Sequence, residues 1–337
     1  MILQNYYNMS KQIAENIILR RGALSHVAEY LNLNRKVLVV TDDGVPSAYS
    51  DVVLSTCKNG YKFVFEHGEE SKSFDTLQAI LKKMLDCGFT RTDAVMAVGG
   101  GVTGDMAGFA ASCYMRGVDF YNIPTTLLAQ VDSSVGGKTA INFGGVKNNI
   151  GAFYMPKMVI IDPDVLSTLT PRLLHEGLAE AIKMAATSDA GLFEYIESDG
   201  SLDSKLYRII EDSLAIKTAV VNADPKEGGL RKVLNFGHTI GHAIEAACNA
   251  QEPDPEKRLY HGECVAVGML SMASPAAAAR IKAVLEKYDL PTVSPYSMET
   301  LKPYIKLDKK ASGNIISVVY VNEIGSFEFK ELKVTEL

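Results

Sequence analysis

The chain has 337 residues, 47% hydrophobic and 22% charged, which is enough apolar material for two domains and argues against disorder. Its formal charge of −6 argues against non-specific nucleic-acid binding, so an anionic ligand must be held by a local basic cluster. Cys57, Cys87, Cys113, Cys248 and Cys264 are scattered, odd in number and without a C-x-x-C, which fits reduced thiols. The first residues lack the basic start and apolar block of a signal peptide, and no apolar run reaches membrane-spanning length. A cytoplasmic protein with no membrane partner is expected.

Residues 1 to about 35 read as a strand or short helix followed by an amphipathic segment, GALSHVAEYLNL. KVLVVTDD has the short, β-branched, apolar run of a buried parallel strand and ends in Asp42 and Asp43. YKFVFEHGEESKSFDTLQAILKKMLDCGF gives a strand, a polar loop carrying Glu69 and Lys72, and a helix with Leu77, Ile80, Leu81, Met84 and Leu85 on one face. The loop reads equally as a solvated connection or as a ligand contact at a strand's end. AVMAV and MVIIDPD complete the strand pattern.

After AVMAV come Gly99, Gly100, Gly101 and Gly104, then MAGFAASCYM at helical spacing. A strand, glycine turn and helix bring backbone N–H groups and a helix N-terminus to a phosphate. Gly99, Gly101 and Gly104 satisfy G-x-G-x-x-G in that context, although a turn that only packs a helix on a sheet would satisfy it too. No ribose-binding acid follows about twenty residues on, where the chain reads IPTTLLA. Asp42 at the earlier strand end can take that part, so the expectation is a dinucleotide on a non-standard Rossmann-like site. Downstream, Arg116, Asp132, Lys138, Lys147 and Asn148 lie among Gly136, Gly137, Gly144, Gly145 and Gly151, a density of polar groups that points to a small-anion site.

Past Pro163 the pattern turns helical: LLHEGLAEAIKMAATSDAGLFEYIES, LYRIIEDSLAIKTAVVNAD, LNFGHTIGHAIEAACNA and ECVAVGMLSMASPAAAARIKAVLEKY. ISVVYVNEIGSFEFKEL reads as a late hairpin. The boundary is set near residue 165, giving an α/β domain with a parallel sheet over 1–164 and a mostly α-helical domain over 165–337. In the helical half, His238 and His242 stand four apart and share a face, as two ligands of one metal would. Glu180 and Lys183 share a face of another helix, and His261 opens the H-G-E of a third. Arg231, Asn235, His238 and His242 recur at three- and four-residue steps, which projects them to one side. Arg231 offers a bidentate carboxylate clamp, and Lys309 and Lys310 form a further basic pair.

GGGVTGDMAGFAASCYMRG, IPTTLLAQVDSSVGGKTAIN and KNNIG resemble the 3-dehydroquinate synthases, a group of the sugar-phosphate cyclases. The resemblance runs on through GLAEAIK, LNFGHTIGHAIEA, HGECVAVGM and DKK, over nearly the whole chain. It implies conversion of 3-deoxy-D-arabino-heptulosonate 7-phosphate to 3-dehydroquinate and phosphate in the shikimate pathway. The implied chemistry is transient oxidation by NAD, elimination, re-reduction and intramolecular aldol closure, with one divalent metal, zinc or cobalt.

The resemblance also implies residues. NAD contacts fall on Asp42, Glu69, Lys72, Gly100, Gly101, Val102, Asp105, Thr125, Thr126, Lys147, Thr168 and Leu169. Substrate contacts fall on Arg116, Asp132, Lys138, Asn148, Lys183, Lys217, Arg231, Asn235, His238 and one of Lys309 and Lys310. Lys138, Lys183, Glu227, His242 and Asn148 carry the chemistry. The metal is assigned to Glu180, His238 and His261, which conflicts with the His238–His242 pair that spacing alone selects. His242 then supports the ligands or transfers a proton. Arg116 reaches a neighbouring subunit, which implies a homodimer. Two departures stand out: Glu176 replaces the usual Ser or Asn before the glycine of G-x-A-E, and the segment after Met269 looks short while the loop 249–260 looks long. A related cyclase, a metal-dependent polyol dehydrogenase and a nucleotide-binding regulatory module are the competing readings.

Overall fold

The computed structural model describes residues 13–308 and 315–334. The described chain divides into two compact units, one over Ile13–Thr170 and one from Pro171 onward. Each is built on its own apolar pattern.

The first unit holds a six-stranded parallel sheet in the order β1-β8-β5-β4-β2-β3. Its strands are β1 (Ile17–Leu19), β2 (Lys36–Asp42), β3 (Asn59–Phe65), β4 (Ala94–Gly99), β5 (Asp119–Pro124) and β8 (Met158–Ile161). Strands β2 and β4 are apolar on both sides because both faces are covered. Val37 and Val39 of β2, with Ala94, Met96 and Val98 of β4, pack in one cluster with Ala23, Leu24 and Val27 of a 3-10 segment (Ala23–Glu29) and Val53 of α1 (Ser47–Thr56). Leu38, Val40, Val95 and Ala97 point the other way, into a second cluster with α2 (Phe74–Asp86) and α3 (Gly101–Cys113).

Chain order reverses between β2 and β4: β3 lies outward of β2, whereas β5 and β8 follow β4 on the other side. Ligands of open α/β sheets sit at the carboxyl ends of strands at such a point. Asp42 ends β2 and the glycine turn ends β4, so both reach that crevice.

Several expectations need correction. Leu85 of α2 is 67% exposed, whereas Leu77, Ile80 and Met84 are buried. At about 100° per residue Leu85 falls on the rim of the apolar stripe. Strand β5 carries Asp119, Asn122 and Pro124, so it has no continuous apolar run, yet it is a central strand. The glycine-rich stretch after it folds as an antiparallel hairpin, β6 (Lys138–Phe143) and β7 (Val146–Phe153), outside the main sheet. Gly144 (φ 63°) and Gly145 (φ 78°) form its two-residue turn, in the left-handed conformations that such turns require.

The second unit is helical: α4 (Pro171–Ser188), α5 (Ala190–Glu197), α6 (Leu202–Ala223), α7 (His238–Gln251), α8 (His261–Ser271), α9 (Pro275–Lys287) and α10 (Met298–Asp308). The late hairpin forms as β9 (Ile315–Tyr320) and β10 (Glu328–Lys333). Three long helical patterns break where local chemistry dictates. Asp189 caps α5 by accepting from Leu192 N–H at 3.0 Å, which splits α4 from α5. Ala273 bridges Val321 and Ser274 caps α9 just before Pro275, which splits α8 from α9. Leu230–Asn235 is a 3-10 segment separated from α7 by Gly237 at φ 77°. Arg231 and Asn235 therefore precede the helix of His238 and His242, on a separate 3-10 segment.

Candidate active site

Each unit holds a polar cluster that gathers several of the candidate residues. In the α/β unit, Gly100 caps α3 with no side-chain hydrogen bond, and no acid lies in the first turn. The helix therefore presents first-turn N–H groups without a side-chain partner at the β2/β4 crevice, the arrangement that receives a phosphate. Close packing also demands the glycines. A Cβ at Gly99 would lie 2.5 Å from Thr103 Oγ1, one at Gly100 3.1 Å from Thr126, and one at Gly101 3.2 Å from Ser133. Asp42 accepts a hydrogen bond from Thr103, which ties the acid to the turn. Thr125 N–H donates to Gly99 O at 2.9 Å, joining the ends of β5 and β4.

The buried Lys72 ammonium sits 2.6 Å from Asp105 Oδ2, bonds to Asn148 Oδ1, and lies 3.8 Å from Glu69. Burial lifts the Asp105 carboxyl to about 6, with Lys72 pulling the other way. Asn148 takes a left-handed conformation, φ 53°. Asp132 lies in a π-turn, Ala129–Ser133; Lys138 and Lys147 are exposed on the hairpin. Thr168 accepts from the Tyr49 hydroxyl at 3.1 Å, and Leu169 caps the same 3-10 segment, Pro163–Thr168. Arg116 is exposed within a turn in which Met115, Arg116 and Gly117 all have positive φ.

In the helical unit Glu180 is 1% exposed, and neither carboxylate oxygen has a hydrogen bond. Lys183, one turn on, pairs with Oε2. Oε1 lies 3.8 Å from His238 Nε2 and 3.6 Å from His261 Nε2. His238 Nδ1 is 3.1 Å from the Phe236 carbonyl, so it carries the proton and leaves Nε2 as the lone-pair nitrogen. His261 Nδ1 lies 3.4 Å from Glu245 Oε2. Burial opposes charge on His261, but Glu180 and Glu245 outweigh it and lift the imidazole to about 10. Burial, then Lys183, hold His238 well below the usual imidazole range. Burial also opposes the charged form of Glu180, yet Lys183 and the two histidines keep its carboxyl well below the ordinary range.

These groups fit a divalent ion. Four ligands at about 2.0–2.1 Å in a tetrahedron stand roughly 3.3 Å from one another, close to the two separations seen here. A buried carboxylate without hydrogen bonds faces two imidazoles whose other nitrogens are held by a carbonyl and a carboxylate, as metal-ligating histidines are. The ligand nitrogens of His238, His242 and His261 all lie within 4.8 Å of one another, so the structure also brings the spacing-selected pair to this point.

The remaining candidates are placed around the cluster's own unit. Arg231 is 2% exposed, and its Nη1 donates to Pro225 O at 2.9 Å. Lys217 is buried on α6, which packs on the 3-10 segment of Arg231. Glu227, at φ 60°, accepts from Asn235 Nδ2 at 3.1 Å. Glu176 accepts weakly from Gly262 N–H at 3.4 Å, and burial lifts its carboxyl to about 7. Lys309 and Lys310 lie outside the described residues. Sequence reasoning missed Glu245 and Asp224. Glu245 stands seven residues from His238 on α7, so helical spacing offered a signal for it. Asp224 accepts from Gly228, Gly229 and Arg231 N–H groups and organises the loop that carries Arg231; its A-D-P context gave only a turn signal.

The comparisons agree with one another across both units. The family profile described as 3-dehydroquinate synthase N-terminal matches residues 62–176, and the C-terminal profile of the same family matches residues 177–311. A 3-dehydroquinate synthase of Streptococcus mutans is 40% identical over 343 residues, covering 96% of this chain and 95% of that protein. Among solved structures, 2-epi-5-epi-valiolone synthase from Streptomyces hygroscopicus, with NAD+ and Zn2+ bound, matches with a TM-score of 0.84 at 26% identity, covering 97% of this chain and 95% of the other. A 2-deoxy-scyllo-inosose synthase complexed with carbaglucose-6-phosphate, NAD+ and Co2+ matches with a TM-score of 0.83 at 25% identity, covering 95% and 94%. With the two profiles matched in succession over residues 62–311 and 96% of it covered by a 40% identical relative, this chain belongs to the 3-dehydroquinate synthase family.

Proposed function

We propose that the chain converts 3-deoxy-D-arabino-heptulosonate 7-phosphate to 3-dehydroquinate and phosphate, as a carbon–oxygen lyase of the shikimate pathway. Family membership supplies the reaction class. The observation that carries it to this chain's own residues is the buried Glu180, whose Oε2 pairs with Lys183 and whose Oε1 faces His238 and His261. Glu180, His238 and His261 would hold the divalent ion. Gly100, Gly101, Val102, Thr125, Thr126 and Lys147, with Asp42, Glu69, Lys72, Asp105, Thr168 and Leu169, would hold NAD. When bound, NAD supplies reversible hydride transfer, and the ion supplies Lewis-acid polarisation of a substrate oxygen.

The chain's own groups do the rest. Lys217 and Arg231 hold the carboxylate, with Arg231 oriented by Pro225 O and by the loop that Asp224 organises. Asp132, Lys138, Asn148, Asn235 and Glu227 orient hydroxyls. Lys183 balances Glu180 and offers charge to the phosphate. His242, with its ring centroid 5.1 Å from His238 and 5.8 Å from His261, is placed to move a proton beside the ligands. Phosphate release from the heptulosonate phosphate, measured with and without a chelator, tests this reading. Release that stops with the chelator and leaves no net NADH supports it; stoichiometric NADH would identify a dehydrogenase.

The homodimer and the cytoplasmic setting belong to the same reading. Free cysteines support the second, and no helix among the described residues is long and apolar enough to cross a membrane. The left-handed turn that turns Arg116 outward supports the first, as do exposed Phe143, Val146, Phe153 and Met155 on and beside the β6–β7 hairpin. Mixing Arg116→Ala and Lys183→Ala proteins should restore activity if sites are shared. A competent monomer in sedimentation would refute it.

A further inference from the structure

Three residues given cofactor or substrate roles, Glu69, Lys72 and Asn148, meet at one residue that has no role. Asn142, near the end of β6, donates Nδ2 to Glu69 Oε1 at 2.8 Å. Its backbone N–H donates to Lys72 O at 2.8 Å. Its Oδ1 accepts the backbone N–H of Asn148 at 2.9 Å. The amide has one workable orientation, because flipping it would set oxygen against the Glu69 carboxylate and NH2 against an N–H. Asn148 holds φ at 53°, a left-handed conformation that asparagine tolerates better than most residues with a Cβ, and its side chain accepts from the Lys72 ammonium.

We propose that Asn142 is a positioning residue that couples the loop carrying Glu69 and Lys72 to Asn148, so that the NAD-contacting carboxylate and the substrate-contacting amide are set by the two ends of one side chain. The inference rests on the roles proposed above for Glu69, Lys72 and Asn148. It goes beyond them by making the two contacts interdependent and separable atom by atom. Glu69 is registered through the donor end, Nδ2. Asn148 is registered through the acceptor end, Oδ1. Lys72 closes the ring by pairing with Asp105 and Asn148 together.

The test is a split that loss of stability alone would not produce. Asn142→Asp keeps an acceptor for Asn148 N–H but turns a carboxylate on Glu69. NAD affinity, read by isothermal titration calorimetry of the whole chain, should fall tenfold or more, while KM for the heptulosonate phosphate changes less than about threefold. Asn142→Ala removes both ends, so both quantities should worsen by about tenfold. Its effect on KM should vanish when Asn148 is already Ala, because the two act as one unit. Equal losses of NAD affinity and substrate KM in Asn142→Asp would overturn the proposal. So would an Asn142→Ala penalty that persists in full on the Asn148→Ala background. Glu69→Ala and Asn148→Ala serve as references: if neither alters NAD affinity or KM, the roles of those residues fail and the proposal falls with them, and the references themselves reveal it. Asn142→Asp has the native shape, so it keeps the test alive if Asn142→Ala does not fold.

Discussion

The distance between the helices that carry the proposed metal ligands is set by glycine, and Gly268 shows how strongly. It lies on α8, where a Cβ would sit 2.0 Å from Gly237 O and 2.9 Å from Gly241 N on the neighbouring α7 segment. On the same helix, a Cβ at Gly262 would sit 2.0 Å from Glu176 O on α4. Helix α8 is thus pressed against α4 at one end and α7 at the other, and these three helices carry Glu180, His238 and His261. A carbon settles against a carbonyl oxygen at about 3.3–3.6 Å, so Gly268→Ala must drive the backbones apart by about 1.3 Å. The displaced carbonyl belongs to the residue before His238. Metal ligands tolerate about 0.2 Å, several-fold less than this shift. Gly268→Ala should therefore lose at least about 100-fold in zinc or cobalt affinity, roughly 2.8 kcal/mol, although Gly268 is not itself a proposed ligand. Overpacking should also cost about 1–3 kcal/mol of folding stability. Metal bound at equilibrium against a competing chelator reads the first effect, and urea unfolding of the apo protein reads the second. Gly229→Ala is the control, since nothing lies within 4 Å of its Cβ. Wild-type metal affinity in Gly268→Ala would refute the claim that close helix approach sets the ligand geometry.

Other expectations address single groups. Glu180→Ala, His238→Ala and His261→Ala should each strip the metal, whereas His242→Ala should keep most of it and slow turnover about 10–100-fold; a metal-free His242 variant beside a metal-bound His261 variant reverses the assignment. Asp105 has a folded value of about 6, above its ordinary 3.8, so its contribution favours the fold below pH 4 and is lost as pH rises through about 6. Urea unfolding should show wild type losing up to about 3 kcal/mol relative to Asp105→Asn between pH 4 and 7; a relative gain over that window would show that the pull of Lys72 dominates. Arg231→Ala should lose roughly 2–4 kcal/mol of binding or transition-state stabilisation, and an analogue without the carboxylate should barely distinguish it from wild type; equal loss with both compounds marks Arg231 as structural.

Much of this protein is written in its sequence because the signals are local. The β-branched runs of β2 and β4, the glycine turn between β4 and α3, and the switch to helical period after Pro163 depend on neighbours within a few residues. The turn at Gly144 and Gly145 was also available as a hairpin signal, although the polar density around it reads first as a binding loop. What sequence could not settle depends on residues far apart in the chain. Helical spacing pairs His238 with His242, and only packing of α4, α7 and α8 brings Glu180 Oε1 within 4 Å of both His238 and His261. The three- and four-residue steps through Arg231, Asn235, His238 and His242 do not reveal the break at Gly237, a left-handed turn where a Cβ would lie 2.8 Å from Val265 O on α8. Strand β5, with Asn122 and Pro124, is central because of its partners β4 and β8 rather than its own composition. Asn142 shows nothing in sequence beyond an asparagine at a strand's end. Its importance comes from the long-range contacts that place Glu69, Lys72 and Asn148 around one amide, and such contacts exist only once the chain has folded.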